Sequence, residues 1–287
     1  MRNILVTGAN KGIGLAVVEE SLRRHADVQM LLCSRDPARG EQALATLIQR
    51  DASWRDRVSA VTLDVADEES VRRARGTLLA QQPNLTLHGI VNNAGLGLGT
   101  VAQTIDVNLL GIHHVCEAFA PLVGPGGRIV NVTSASAANF VANCSPERRA
   151  FFTDPDISWT QLADFVRTCG ELEPARLAEF GFMSDSPYGF SKACANSYTL
   201  WLARQHPALY VNACTPGFIE TDLGKEFLGT RSPAEAGMRP ASEGAHVILE
   251  LLFGQPRGTG HYYGSDALRS PMDRYRAPGS AEFTDRD

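Results

Sequence analysis

Six short apolar runs, Ile4-Leu5-Val6, Val28 to Cys33, Val58 to Leu63, Gly89 to Val91, Arg128 to Val132 and Leu209 to Ala213, alternate with segments of helix length. A strand covered on both faces carries a nearly unbroken apolar run, whereas a half-exposed strand alternates. Such strands, separated by helical crossovers, pair in parallel, because a parallel partner can be reached only by a long return. Helix punctuation falls between the runs: Pro37 stands at a first helical turn, and Asp67 precedes Ser70-Val71. The alternation predicts an α/β fold, a doubly wound parallel sheet with helices on both faces.

One stretch breaks the rhythm. Residues from about 139 to 186 hold no strand-like run and read as a helical insertion. Ser145-Pro146-Glu147 has the form of a cap with Pro at the first helical position, Ser158 with Gln161 fits a capping box, and Glu173-Pro174 starts a third short helix. Trp159, Leu162, Phe165 and Val166 share a helical face, read as packing onto the domain. The segment after Ser270, rich in Pro, Arg and Asp, reads as a loose tail over 271–287.

With 287 residues and 44% hydrophobic content the chain can bury one large core, so a single domain over 1–287 is expected. A net charge of −5 argues against nucleic acid or an anionic membrane as partner, since both need a concentrated basic face. No run reaches the ~18 apolar residues of a membrane span, and the first residues lead straight into a strand with no room for a signal segment. The six cysteines lie at irregular intervals without a C-x-x-C, which suggests reduced thiols in a cytoplasmic protein and no zinc site. Adjacent His113 and His114 point about 100° apart on a helix and do not suit one metal, so no metal is expected.

Three motifs carry chemistry. Thr7-Gly8-Ala9-Asn10-Lys11-Gly12-Ile13-Gly14 lies between the first strand and the first helix, where glycines let the backbone approach a pyrophosphate at a helix N-terminus. At the end of the second strand an acid would bind a free ribose 2′-hydroxyl; the chain has Ser34-Arg35 instead, and Arg35 with Lys11 suits a 2′-phosphate, hence NADP(H), although Asp36 follows. Tyr188 and Lys192 lie four residues apart, one helical turn, so an ammonium can lower the phenol's pKa and fit it for acid–base work.

Taken in order, these residues resemble the short-chain dehydrogenase/reductase family over nearly the whole chain. The likeness rests on the turn from Thr7 to Gly14, Asp64-Val65, Asn92-Asn93-Ala94-Gly95, Asn108 before Gly111, Ser134, Tyr188 with Lys192, and Pro216-Gly217 with Thr221. Within the family the chain is most similar to the monomeric NADPH-dependent carbonyl reductases, given Asn10-Lys11-Gly12, Ser34-Arg35 and the long insertion with Cys144-Ser145-Pro146-Glu147. Ser134 and Tyr188 are 54 residues apart, far beyond the family's usual spacing. In those relatives the insertion covers the helix surface that others use to dimerise, which implies a monomer.

The resemblance implies a catalytic set of Asn108, Ser134, Tyr188 and Lys192. Tyr188 would donate a proton to the developing alkoxide, Ser134 would hold that oxygen, Lys192 would bind the nicotinamide ribose, and Asn108 would hold a water of a proton relay. The cofactor would lie along Gly8, Asn10, Lys11, Gly12, Ile13, Gly14, Ser34, Arg35, Asp64, Val65, Asn93, Ala94, Gly95, Pro216, Gly217, Ile219 and Thr221, besides Tyr188 and Lys192. The expected partner is a small-molecule carbonyl substrate: ketone, aldehyde or quinone. An NAD(P)-dependent alcohol or steroid dehydrogenase, or a non-catalytic NADP(H) sensor, are the alternatives, and each single residue also has a plain structural reading as cap, turn or helix surface. A substrate loop at about 217–240, with Phe218, Leu223, Phe227 and Leu228, together with the insertion near Phe140 to Phe152, is expected to wall an apolar pocket. Thr133 and the stretch from Gly224 to Ser242 depart from the carbonyl reductases.

Overall fold

The computed structural model describes residues 1–170, 174–182, 186–255 and 257–284. The six apolar runs form β1 (Arg2–Val6), β2 (Val28–Ser34), β3 (Val58–Thr62), β4 (Leu87–Asn92), β5 (Val123–Val132) and β6 (Tyr210–Cys214). Two strands not anticipated from the sequence complete the sheet, β7 (His261–Tyr263) and β8 (Arg269–Ser270), in the order β3-β2-β1-β4-β5-β6-β7-β8. Pairing is parallel except between β7 and β8, which are antiparallel.

The helices are α1 (Gly12–Arg24), α2 (Pro37–Arg50), α3 (Glu68–Gln81), α4 (Val101–Ile105), α5 (Gly111–Phe119), α6 (Ala135–Ala142), α7 (Pro146–Thr153), α8 (Trp159–Gly170), α9 (Pro187–Gln205), α10 (Asp222–Lys225) and α11 (Ala241–Phe253). Neighbouring residues of one strand serve opposite cores. Ile4 and Val6 pack with Val17 and Val18 of α1, Leu47 of α2 and Ile248 of α11, while Leu5 packs with Val71 of α3, Val115 of α5 and Tyr198 of α9. That two-sided burial is why the runs are continuous instead of alternating.

The insertion is helical, as its caps imply. Ser145 accepts from the Arg148 N–H at 3.3 Å to start α7, and Ser158 with Gln161 forms the expected reciprocal box at 3.2 and 2.9 Å. Residues Pro174–Phe180 form a 3-10 helix; Glu173, expected to begin a helix, lies outside the described residues. A bridge between Cys144 and Phe182, unforeseen in a stretch without strand-like runs, pins the insertion's two ends. Leu162 and Val166 are buried, and Trp159 stacks on His113 at 4.0 Å, so the apolar stripe of α8 packs onto α5 and α9.

Phe140 and Phe152 do not wall a pocket, contrary to the sequence-based expectation. Both are almost fully buried among Phe165, Phe182 and Phe190, with Phe140 5.2 Å from Phe182 and 5.8 Å from Phe190, because the insertion needs its own core to sit on α9. The segment after Ser270, expected to be loose, is tied down: Arg276 pairs with Asp266 and donates to Ser270 Oγ at 2.9 Å, and the Gly279 N–H donates to Asp266 at 2.8 Å. Residues 285–287 of that tail lie outside the described residues. All six cysteines are free and buried.

Candidate active site and cofactor groove

β1 leads to β2 on one side of the sheet and β4 begins the other, so the order reverses between β1 and β4 and a crevice opens at their carboxyl ends. The glycine-rich turn and the segment from Asn93 to Gly95 meet there. Thr7 Oγ1 accepts from the N–H groups of Asn93 and Ala94, 3.0 Å each, and Asn93 Nδ2 donates to the Thr7 carbonyl at 2.9 Å. Gly8 and Gly12 have φ of +61° and +57°. A Cβ on Gly14 would lie 2.5 Å from Asn93 Nδ2 and 2.6 Å from the Gly8 carbonyl, and one on Gly8 would meet Ala94 at 2.9 Å, so the approach itself requires glycine. α1 starts without a side-chain cap and with no acid in its first turn, which leaves its N–H groups and positive dipole end turned to the groove.

At the end of β2, Arg35 is exposed and has no ion pair among the described residues. Asp36, whose acid sat awkwardly beside a phosphate site, is spent elsewhere: it caps α2, accepting from the Arg39 N–H at 3.2 Å and pairing with its guanidinium at 3.4 Å. Ser34 is buried and donates to the Asp36 carbonyl at 2.8 Å. Lys11 stands just before α1 without capping it, and its ammonium pairs with Asp222 at 2.5 Å, across the groove. Asp64 Oδ1 closes its own turn onto the Ala66 N–H at 3.0 Å, and Val65 is buried against Gly111.

α9 brings Tyr188 and Lys192 to the carboxyl end of β5, beside Ser134, which caps α6 by accepting from the Ser136 N–H at 3.1 Å. Lys192 is buried and donates to the Val132 carbonyl at 2.9 Å; desolvation lowers its pKa to about 8, a shift that the neighbouring Cys214 partly opposes. Tyr188 differs from the expectation of a lowered pKa. Desolvation pushes its phenol up, a hydrogen bond with Ser134 opposes that, and the Glu226 carboxylate adds to it. Lys192 does not prevail here because its ammonium sits 5.9 Å from the Tyr188 ring centroid and is turned to Val132.

Asn108 lies in a π-helical turn, Asp106–Leu110, between α4 and α5. Its amide accepts from the Leu96 N–H and donates to the Leu96 carbonyl, both at 2.9 Å, and donates to Ser191 Oγ at 3.0 Å. Ser191 in turn donates to the Tyr188 carbonyl at 3.0 Å. A Cβ on Gly95 would find Asn108 Oδ1 at 3.3 Å and Lys192 Nζ at 3.5 Å, so the two converge on that glycine.

The loop after β6 closes the far side. Gly217 has φ of +90° and its space is taken by the Arg239 guanidinium. Ile219 and Ile13 meet over Gly244, which buries the Ile219 side chain, and the Ile219 carbonyl accepts from Thr221 Oγ1 at 3.4 Å. Thr221 caps α10, accepting from the Gly224 N–H at 3.0 Å, and its methyl stands 3.1 Å from where a Gly12 Cβ would be. Leu223 and Phe227 come down onto Gly97, and the Phe227 ring lies 5.2 Å from that of Tyr188.

The family model described as short chain dehydrogenase matches residues 2–146. Curated relatives include carbonyl reductase (NADPH) 1 of Macaca fascicularis, 30% identical over 267 residues that cover 88% of this chain and 91% of that protein. The corresponding figures for carbonyl reductase (NADPH) 3 of Mus musculus are 29% identity, 90% and 93%. This chain is a short-chain dehydrogenase. Among solved structures, salutaridine reductase from Papaver somniferum aligns over 92% of this chain and 99% of its own with TM-score 0.77 and 22% identity. The NADPH-bound carbonyl reductase from chicken fatty liver aligns over 93% and 97% with TM-score 0.65 and 21% identity; both share the fold. As a short-chain dehydrogenase the chain has three site groups that motif reading passed over: the Val132 carbonyl under Lys192, Ser191 behind Tyr188, and Glu226 beside it. A backbone carbonyl leaves no residue-type signal, and Glu226 lies in the stretch that matches no motif.

Proposed function

We propose that this protein reduces the carbonyl group of a small, mainly apolar ketone, aldehyde or quinone with NADPH, and that Tyr188 delivers the proton. The observation that carries the reading is the meeting of Ser134, Tyr188 and Lys192 at the carboxyl end of β5, beside a glycine-lined groove. The relatives named for NADPH-dependent carbonyl reduction support it.

The groove's chemistry fits a dinucleotide phosphate. Gly8, Gly12 and Gly14 allow the main chain to approach a pyrophosphate, and the uncapped start of α1 offers N–H donors to it. Arg35, exposed and unpaired among the described residues, supplies a planar fork for a 2′-phosphate, with Lys11 as a second charge. NADPH supplies a hydride to the carbonyl carbon when bound. Ser134 donates to the carbonyl oxygen, and Tyr188 passes its proton to that oxygen as charge develops. The raised phenol pKa keeps the proton on Tyr188 at neutral pH, as the reducing direction requires. Lys192 would bind the ribose hydroxyls, and Asn108 and Lys192, which converge on Gly95, would hold the water that returns a proton to Tyr188.

We also infer a monomer in the cytoplasm. The surface of α5 and α9 is covered by the chain's own α8, and six free thiols suit a reducing compartment. Among the described residues no helix is long and apolar enough to cross a membrane. The experiment is absorbance decay of NADPH, and separately NADH, with quinones, aromatic aldehydes and diketones, with Tyr188→Phe as control. Turnover that is faster with NADPH and lost in the variant is expected; cofactor binding without turnover of any carbonyl would sink the reading in favour of a sensor. Sedimentation at rising concentration tests the monomer.

A further inference from the structure

Three carboxylates lie on the loop between Gly217 and Leu228, and two of them are neutralised. Glu220 pairs with Lys225 at 3.0 Å and Asp222 with Lys11 at 2.5 Å. Glu226 has no cationic partner among the described residues, yet its carboxylate is folded inward onto Gly97 in company with Leu223 and Phe227. Glu226 is exposed, and its carboxylate against Gly97 places an unneutralised negative charge beside the side chains of Leu223 and Phe227. The neighbouring surface is apolar and open: Phe227 is 39% and Leu98 58% exposed, although both are large hydrophobic residues.

We propose that the cleft selects carbonyl substrates that carry a cationic amine, with Glu226 receiving the ammonium and Phe227 and Leu98 holding the apolar body. This rests on the carbonyl-reducing reading of the same site. A carboxylate next to an aromatic face is the pairing that recognises an alkylammonium, through charge and through the ring's quadrupole. The Phe227 ring lies 5.2 Å from the Tyr188 ring, so a substrate whose carbonyl reaches Tyr188 can extend its amine past that ring to Glu226. The same carboxylate lies close enough to the Tyr188 phenol to bias it upward. A bound ammonium would neutralise that bias during turnover.

The test uses three aryl ketones of one skeleton in the full-length protein with NADPH: one with a dimethylamino arm, its carbon isostere, and one with a carboxylate arm. The ammonium ketone is expected to exceed the isostere about threefold to tenfold in kcat/KM, mostly through KM, with the ratio shrinking in high salt because the pair is partly exposed. Glu226→Gln should bring the ratio to about one, and Glu226→Lys should turn preference to the carboxylate ketone. Equal rates for the three ketones in the unaltered protein, or a preference that survives Glu226→Gln, would overturn the proposal while leaving the reductase reading intact. Failure of every ketone, quinone and aldehyde to consume NADPH would remove both.

Discussion

Lys192 Nζ donates to the Val132 carbonyl at 2.9 Å, so the ammonium is held under the end of β5, two residues before Ser134. Burial there costs the charged form, and the pKa falls from 10.5 to about 8. Between those two values the unfolded chain binds more protons than the folded one, so this group's penalty on stability is full below pH 8 and fades as pH rises toward 10.5. Lys192→Met removes a titrating group, so the stability of the variant relative to the parent should decline across that window. Paired thermal melts at steps of pH check it; a constant difference would mean that Lys192 is not desolvated.

Tyr188→Phe should lower kcat for carbonyl reduction by about 10²–10⁴-fold, the usual worth of a positioned proton donor. NADPH binding, followed by fluorescence titration, should stay within a few-fold. In the parent protein the raised phenol pKa predicts reduction that is level through neutral pH and falls on the alkaline side as the proton is lost, with oxidation of the alcohol rising over the same range.

Arg35→Ala should weaken NADPH by about 10- to 100-fold, the equivalent of a charge-assisted contact, and leave NADH nearly unchanged. Asp222→Asn should act in the opposite sense, tightening NADPH modestly, because it releases Lys11 from its 2.5 Å pair. Dissociation constants for the two cofactors, measured in each variant, decide both; an equal loss of NADPH and NADH in Arg35→Ala would count against a 2′-phosphate contact.

Gly14→Ala should destabilise the fold by about 1–3 kcal/mol and abolish tight cofactor binding. The added methyl would stand 2.6 Å from the Gly8 carbonyl, and backbone cannot move aside as a flexible side chain could. Denaturant unfolding and cofactor titration report the two effects separately.

Much of this was legible in the sequence because burial on both faces writes an apolar run for each of β1 to β6, and because close backbone approach demands glycine at Gly8, Gly12 and Gly14. β7 and β8, of three and two residues, are too short to carry a period. The four positions proposed as catalytic, Asn108, Ser134, Tyr188 and Lys192, could be picked out by type and order, but their electrostatics could not. Tyr188 depends on how far Lys192 turns toward Val132 and on Glu226, 38 residues later, and no spacing encodes either. The phenylalanines of the insertion were misjudged for a related reason: an aromatic near a site reads the same whether it faces the ligand or its neighbours.

The cover that α7 and α8 lay over α9 has a consequence for how the site fails. From Gly189 to Thr199 every residue of that helix is buried, so its amides there are shielded from water while the chain is folded. Amide exchange along α9 should then run at the rate of global unfolding. Heated samples should lose activity and fold in a single step, with no inactive but folded stage between.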